Sequence, residues 1–195
     1  MKEVLIRYEN LLTQIAIPCI KLLKPGIPIE ESLLKLKSQF PSLIIERNFL
    51  EFYEWHNGTK DTDNYLNKII IPDFYILDIE EAINQVESDD IYSWKENQCL
   101  PILTVGDEHL CIKAQNGKFD SYESPIIYFA TWDYASINPG KQIYDNLLNL
   151  FTGNIKALEK GIIYTDEKGN MDIENTMDEY WKLNKKINPN SIYWG

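Results

Sequence analysis

The order of its apolar periodicities constrains this chain most: helical spacing at both ends, short β-like runs between them. Val4, Leu5, Tyr8, Leu11, Leu12 and Ile15 recur every three or four residues and predict a first helix that ends near Pro18. Pro28 suits the first turn of a second helix, with Ile29, Leu33, Leu36 and Phe40 on one face. A third helix is expected from about Ser42 or Glu46 to His56, stopped by Asn57-Gly58.

In the middle of the chain the pattern changes. Ile69 to Ile71 and Phe74 to Leu77 read as short extended pieces, and Asp78 with Glu81 forms a capping box ahead of a helix carrying Ile79, Ala82, Ile83 and Val86. Leu100–Val105 and Leu110–Lys113 are strand-like across Gly106-Asp107-Glu108, and Asn116-Gly117 is a hairpin turn signal. Ile126 to Phe129 is the next strand. Helical spacing then returns: Pro139 is expected to open a helix with Ile143, Tyr144, Leu147, Leu148 and Phe151 inward, interrupted at Gly153. A short helix from Asn154 to Lys160, a late strand at Ile162 to Tyr164, a turn at Asp166 to Gly169 and a last helix through Ile173, Met177, Tyr180 and Ile187 complete the reading.

Helices, then strands, then helices imply an α+β fold, with a central antiparallel β-sheet flanked by helices, and not a βαβ arrangement. A chain of 195 residues suits one domain: a core over about 29–151, an N-terminal helix in 1–24 and a helical C-terminal extension over 154–195.

The net charge of −11 repels phosphate backbones and argues against nucleic acid as a partner. It attracts a basic protein, or serves solubility alone; the charge by itself leaves both open. Cys19, Cys99 and Cys111 form no CxxC pair, as in a reducing compartment. The first ten residues have the charge pattern of an amphipathic helix and not of a signal peptide, and no apolar run approaches a membrane span. A cytoplasmic protein without a membrane partner is the expectation.

Signals for chemistry are weak. The two histidines, His56 and His109, lack a second histidine at metal-ligand spacing. His109 and Cys111 share a strand face, but no oxyanion-hole signature accompanies them. Phosphate-binding and nucleophile-elbow motifs are absent. Asp61-x-Asp63-x-Tyr65 lacks the glycine and closing glutamate of a calcium loop. No catalytic residue, metal site or cofactor is expected. Charge clustering is more informative: Asp78 to Trp94 holds six carboxylates and no Lys or Arg, and it ends in Tyr92 and Trp94. Asp61, Asp63, Glu87, Asp89, Asp90, Tyr92 and Trp94 are therefore the candidate partner-binding residues. A second acidic group spans Asp166, Glu167, Asp172, Glu174, Asp178 and Glu179.

Several segments in order resemble the SUKH superfamily (Smi/Knr-like). They are Phe49 to Gly58 with its aromatic run and Asn-Gly, Ile79-Glu80-Glu81-Ala82, Leu100-Pro101-Ile102-Leu103 with Gly106-Asp107 and Leu110-Cys111-Ile112, Ile126 to Phe129, and Ile143 to Leu148. The match covers roughly 29–151, and Pro41-Ser42-Leu43 departs from the family pattern. The resemblance implies the SUKH fold without catalytic residues. It also implies an immunity protein that binds and blocks a cognate, basic bacterial toxin, with a regulatory scaffold of the cell-wall-synthesis type as the alternative. Oligomeric state does not follow from it.

Overall fold

Asp78 accepts a hydrogen bond from the Glu81 backbone N–H at 2.8 Å while Glu81 returns one to the Asp78 N–H at 3.1 Å, so the expected capping box starts a helix. The computed structural model describes residues 1–15, 17–88, 92–130 and 140–194. Among them are six α-helices: α1 (Lys2–Gln14), α2 (Ile29–Gln39), α3 (Arg47–Trp55), α4 (Ile79–Glu87), α5 (Leu147–Glu159) and α6 (Met177–Ile187).

The strands are β1 (Leu23–Pro25), β2 (Ile44–Ile45), β3 (His56–Thr59), β4 (Tyr75–Ile76), β5 (Cys99–Val105), β6 (Glu108–Lys113), β7 (Lys118–Phe119), β8 (Ile126–Ala130), β9 (Lys141–Tyr144), β10 (Tyr164–Thr165) and β11 (Met171–Asp172). Five of them form one antiparallel sheet in the order β4-β5-β6-β8-β9. Two-stranded pairings β1-β3, β2-β7 and β10-β11 surround it. The architecture is α+β with a central antiparallel sheet.

Every residue of β8, and Cys99 to Thr104 of β5, is buried. Runs of this kind without alternation mean that both faces of the central strands are covered. α4 packs on β5 and α5 against β9; α1 packs on α3 and α5. Leu5, Tyr8 and Leu12 of α1, and Tyr180 and Trp194 near the other end of the chain, belong to the same buried core as the sheet.

Three local expectations are corrected. α3 runs straight into β3, so Asn57-Gly58 is not a helix stop. Asn57 Oδ1 instead accepts from the Ile79 N–H at 2.9 Å, and a Cβ on Gly58 would lie 2.6 Å from Asp78. The pair builds the seat for the start of α4, with Gly58 at φ +85°. Ile143 and Tyr144 lie in β9, not in a helix, because pairing with β8 claims their backbone; Pro139 lies outside the described residues. Finally, Gly153 does not interrupt α5. Its missing Cβ leaves room for Asn184 of α6, whose Oδ1 would stand 3.0 Å from that Cβ. Two smaller differences follow the same logic: Ile69 to Ile71 enters a tight turn and not a strand, and the late strand begins at Tyr164.

Candidate functional site

Tyr92 and Trp94 are not surface aromatics. They are 7% and 2% exposed, their rings stack at 4.4 Å, and both meet Phe129 and His109 edge-on. The hydrophobic gain from covering the sheet outweighs the recognition role that their acidic neighbours suggested. Asp89 and Asp90 lie outside the described residues. Glu87 is exposed at the end of α4, where it accepts from Gln39 of α2. Asp61 and Asp63 are exposed in the loop before Tyr65, and Asp61 pairs with Lys68 at 3.3 Å. The expected binding set is thus not one surface.

A different acidic surface forms around Asp73. Ile71-Pro72-Asp73-Phe74 is a tight turn closed by Phe74 N–H to Ile71 O at 2.8 Å, with Asp73 at φ 73°. Proline at the second position and a positive φ at the third give it the form of a type II turn, where Gly or Asn is the comfortable third residue. Aspartate tolerates this conformation, so the turn fixes a carboxylate at the protein surface.

The turn lies among four shallow recesses that share lining residues. The first, about 530 Å³, lies between Tyr65, Tyr75, Val105, Asp107 and Glu108. The second, about 280 Å³, shares Tyr65, Val105 and Glu108 with it and adds Leu66, Asp73 and Met171. A third of about 120 Å³ joins Asp73 to Met171, Asp172, Glu174 and Met177. The fourth, about 180 Å³, runs from Asp73 past Met177 to Trp181 and Tyr193. Because Asp73 lines three of the four, they make one groove with that carboxylate at its centre.

Its chemistry is acidic and apolar together. Tyr65 (55% exposed), Leu66, Met177 (48%) and Trp181 are among the largest exposed hydrophobic side chains. Burial against protein pushes the Asp73 carboxyl up, and the Glu108 and Asp172 carboxylates push it further. Tyr193 is likewise raised by burial, then by Glu108 and Asp73. Glu108 accepts from the Tyr128 hydroxyl at 2.9 Å, and Tyr128 packs edge-on against Tyr193. Lys68 sits 4.1 Å over the Tyr75 ring, anchoring the wall of the first recess.

The histidines serve packing. His109 Nδ1 lies 3.0 Å from Thr104 Oγ1 within the Tyr92–Trp94 cage, and His56 Nδ1 lies 2.9 Å from the Lys24 carbonyl oxygen. Since a carbonyl only accepts, His56 carries its proton on Nδ1 there. Burial pushes the Cys19 and Cys99 thiols up to about 12, which makes them poor nucleophiles. Among the described residues no group of three or more His, Cys, Asp or Glu could hold a metal ion, and no helix is long and apolar enough to cross a membrane.

Sequence reasoning found Asp172 and Glu174 within the second acidic group but missed Asp73 and Glu108. Pro72-Asp73 is a visible turn signal. Its apposition to β6 and β11 is long-range and has no local signature. Neither the protein-family models nor the curated proteins contain a match to this chain.

Proposed function

We propose that this protein is a non-catalytic binder that neutralises a basic toxin domain by occlusion, docking it on the Asp73 groove. The observation that carries this reading is the groove itself. Three carboxylates, Asp73, Glu108 and Asp172, sit beside exposed Tyr65, Leu66, Met177 and Trp181. Protein interfaces combine apolar anchors with charge that steers the partner, and a net charge of −11 favours encounter with a basic one. The resemblance to SUKH immunity proteins supports the same class of action.

The test is co-expression with any toxin domain encoded by a neighbouring gene. Relief of growth arrest, co-elution on gel filtration and an association rate that falls as NaCl rises are the expected results. Continued killing with no complex at low salt refutes the proposal.

A small-molecule-binding protein is the second reading, favoured by the size of the 530 Å³ recess between Tyr65 and Tyr75. A metabolite panel that raises the melting temperature of wild type but not of Tyr75→Ala supports it.

A further inference from the structure

We infer that the recess between Asp73 and Trp181 is an aromatic cage for a methylated ammonium group, the head group of a choline-like metabolite or of a trimethylated lysine. This goes beyond the neutralisation reading and does not rest on it.

The walls come first. Phe74, Tyr144, Tyr180, Trp181, Tyr193 and Trp194 line a recess of about 180 Å³, with Met177 among them. The rings do not form a flat stack. Trp194 stands at 90° to Trp181, 81° to Tyr193 and 85° to Tyr180, with centroids 5.2, 4.9 and 6.0 Å apart. Walls at right angles bound a space, and a cation held in it can lie within the reach of more than one ring, about 6 Å from a centroid. Trp181 and Met177, 40% and 48% exposed, leave the recess open to solvent.

The polar atoms of the walls decide which cation suits it. Tyr180 donates to Asn154 Oδ1 at 3.1 Å, so Tyr144 donates to the Tyr180 hydroxyl at 3.3 Å; Trp194 Nε1 donates to the Ile143 carbonyl oxygen. These groups are turned to partners inside the protein. A primary ammonium or a guanidinium would give up water here for few acceptors, whereas a quaternary ammonium has no N–H to satisfy. Asp73 borders the recess, and no Lys or Arg lines it. No hydrogen bond or ion pair engages the Asp73 carboxylate among the described residues. One counter-charge beside ring surface is the pairing that a weakly hydrated cation takes. At about 180 Å³ the space holds a head group, short of the roughly 300–1,000 Å³ of sites for drug-sized ligands.

The experiment is an NMR titration of the ¹⁵N-labelled full chain with choline, with ethanolamine, which carries a primary ammonium, and with the neutral tert-butyl isostere of choline. Expected are shifts of the Trp181 and Trp194 indole N–H and the Tyr193 amide with choline, weaker ones with ethanolamine and none with the isostere. Trp181→Ala removes an exposed wall and weakens choline binding roughly three- to tenfold, the range of a cation–π contact. Asp73→Asn, which keeps the side chain's shape, weakens it roughly two- to fivefold. Tyr65→Ala, outside this recess, leaves it unchanged. Should Trp181→Ala fail to fold, Asp73→Asn and the isostere decide the matter. No shift with choline, equal shifts with the isostere, or indifference to both substitutions overturns the inference. Acetyl-trimethyllysine-amide is the second arm. Tighter binding than choline assigns the head group to a peptide and weaker binding to a free metabolite, and either supports the cage. A toxin complex that fails while choline binds overturns neutralisation alone; a complex without choline binding overturns the cage alone.

Discussion

Replacing Asp73 by Asn should make the protein more stable at neutral pH, which is unusual for a change at a residue inside a formed turn. No hydrogen bond or ion pair engages the Asp73 carboxylate among the described residues, so the substitution breaks no such contact. The backbone at φ 73° suits Asn at least as well as Asp. The carboxylate is disfavoured by burial first, then by Glu108 and Asp172.

Asp73 is exposed as a residue while its carboxyl lies close to protein atoms, so its burial is partial and each like-charge neighbour is worth no more than an exposed pair, about 0.2–1 kcal/mol. Two neighbours, discounted for screening, give a gain of about 0.5–1 kcal/mol, or roughly 1–4 °C in melting temperature for a chain of this size. The sign with pH follows from linkage. The folded state holds Asp73's proton to higher pH than the unfolded state does, so the contribution of Asp73 to stability falls as pH rises from the ordinary aspartate value of 3.8 through the raised folded value.

The advantage of Asp73→Asn should therefore be absent below pH 3.8, appear as pH rises through that window and persist at neutrality. It should shrink in high salt. Urea unfolding of both proteins across pH 3 to 8, in low and high NaCl, measures it. Asp73→Gly separates the backbone contribution from the charge. Destabilisation by Asp73→Asn, or a difference that ignores pH and salt, refutes the reasoning and makes the carboxylate a structural element of the turn.

Three further outcomes follow from packing. Gly26→Ala places a Cβ 1.8 Å from the Glu54 carbonyl oxygen, so urea unfolding should show a loss of about 3 kcal/mol or more, or no folded protein at all. Trp94→Ala should cost about 3–5 kcal/mol and Tyr65→Ala less than about 0.5 kcal/mol in the same assay, since one ring is in the core and the other is exposed. Cys19 and Cys99, buried and with thiols raised to about 12, should resist a thiol-specific dye at pH 8 in the folded protein and react at once in denaturant.

The sequence by itself determined what depends on neighbours along the chain. The 3.6-residue spacing of Leu5, Tyr8 and Leu12, the Asp78–Glu81 box, the Gly106 turn between β5 and β6 and the Asn116-Gly117 turn all act within a few residues, and their signals appear as predicted. The α+β class follows from their order.

Only the tertiary structure decided the rest. Ile143 and Tyr144 carry an apolar pattern compatible with helix or strand, and pairing with β8 chose strand. Asn57-Gly58 looks locally like a helix stop and became the seat of α4, because Asp78 arrives there from another part of the chain. Tyr92 and Trp94 were hidden by His109 and Phe129. The groove joins Asp73, Glu108 and Asp172, which stand far apart in sequence, and charge has no periodicity that announces such a meeting. Local propensity is an energy between neighbours, whereas burial and electrostatic coupling act between whatever the folded chain brings together.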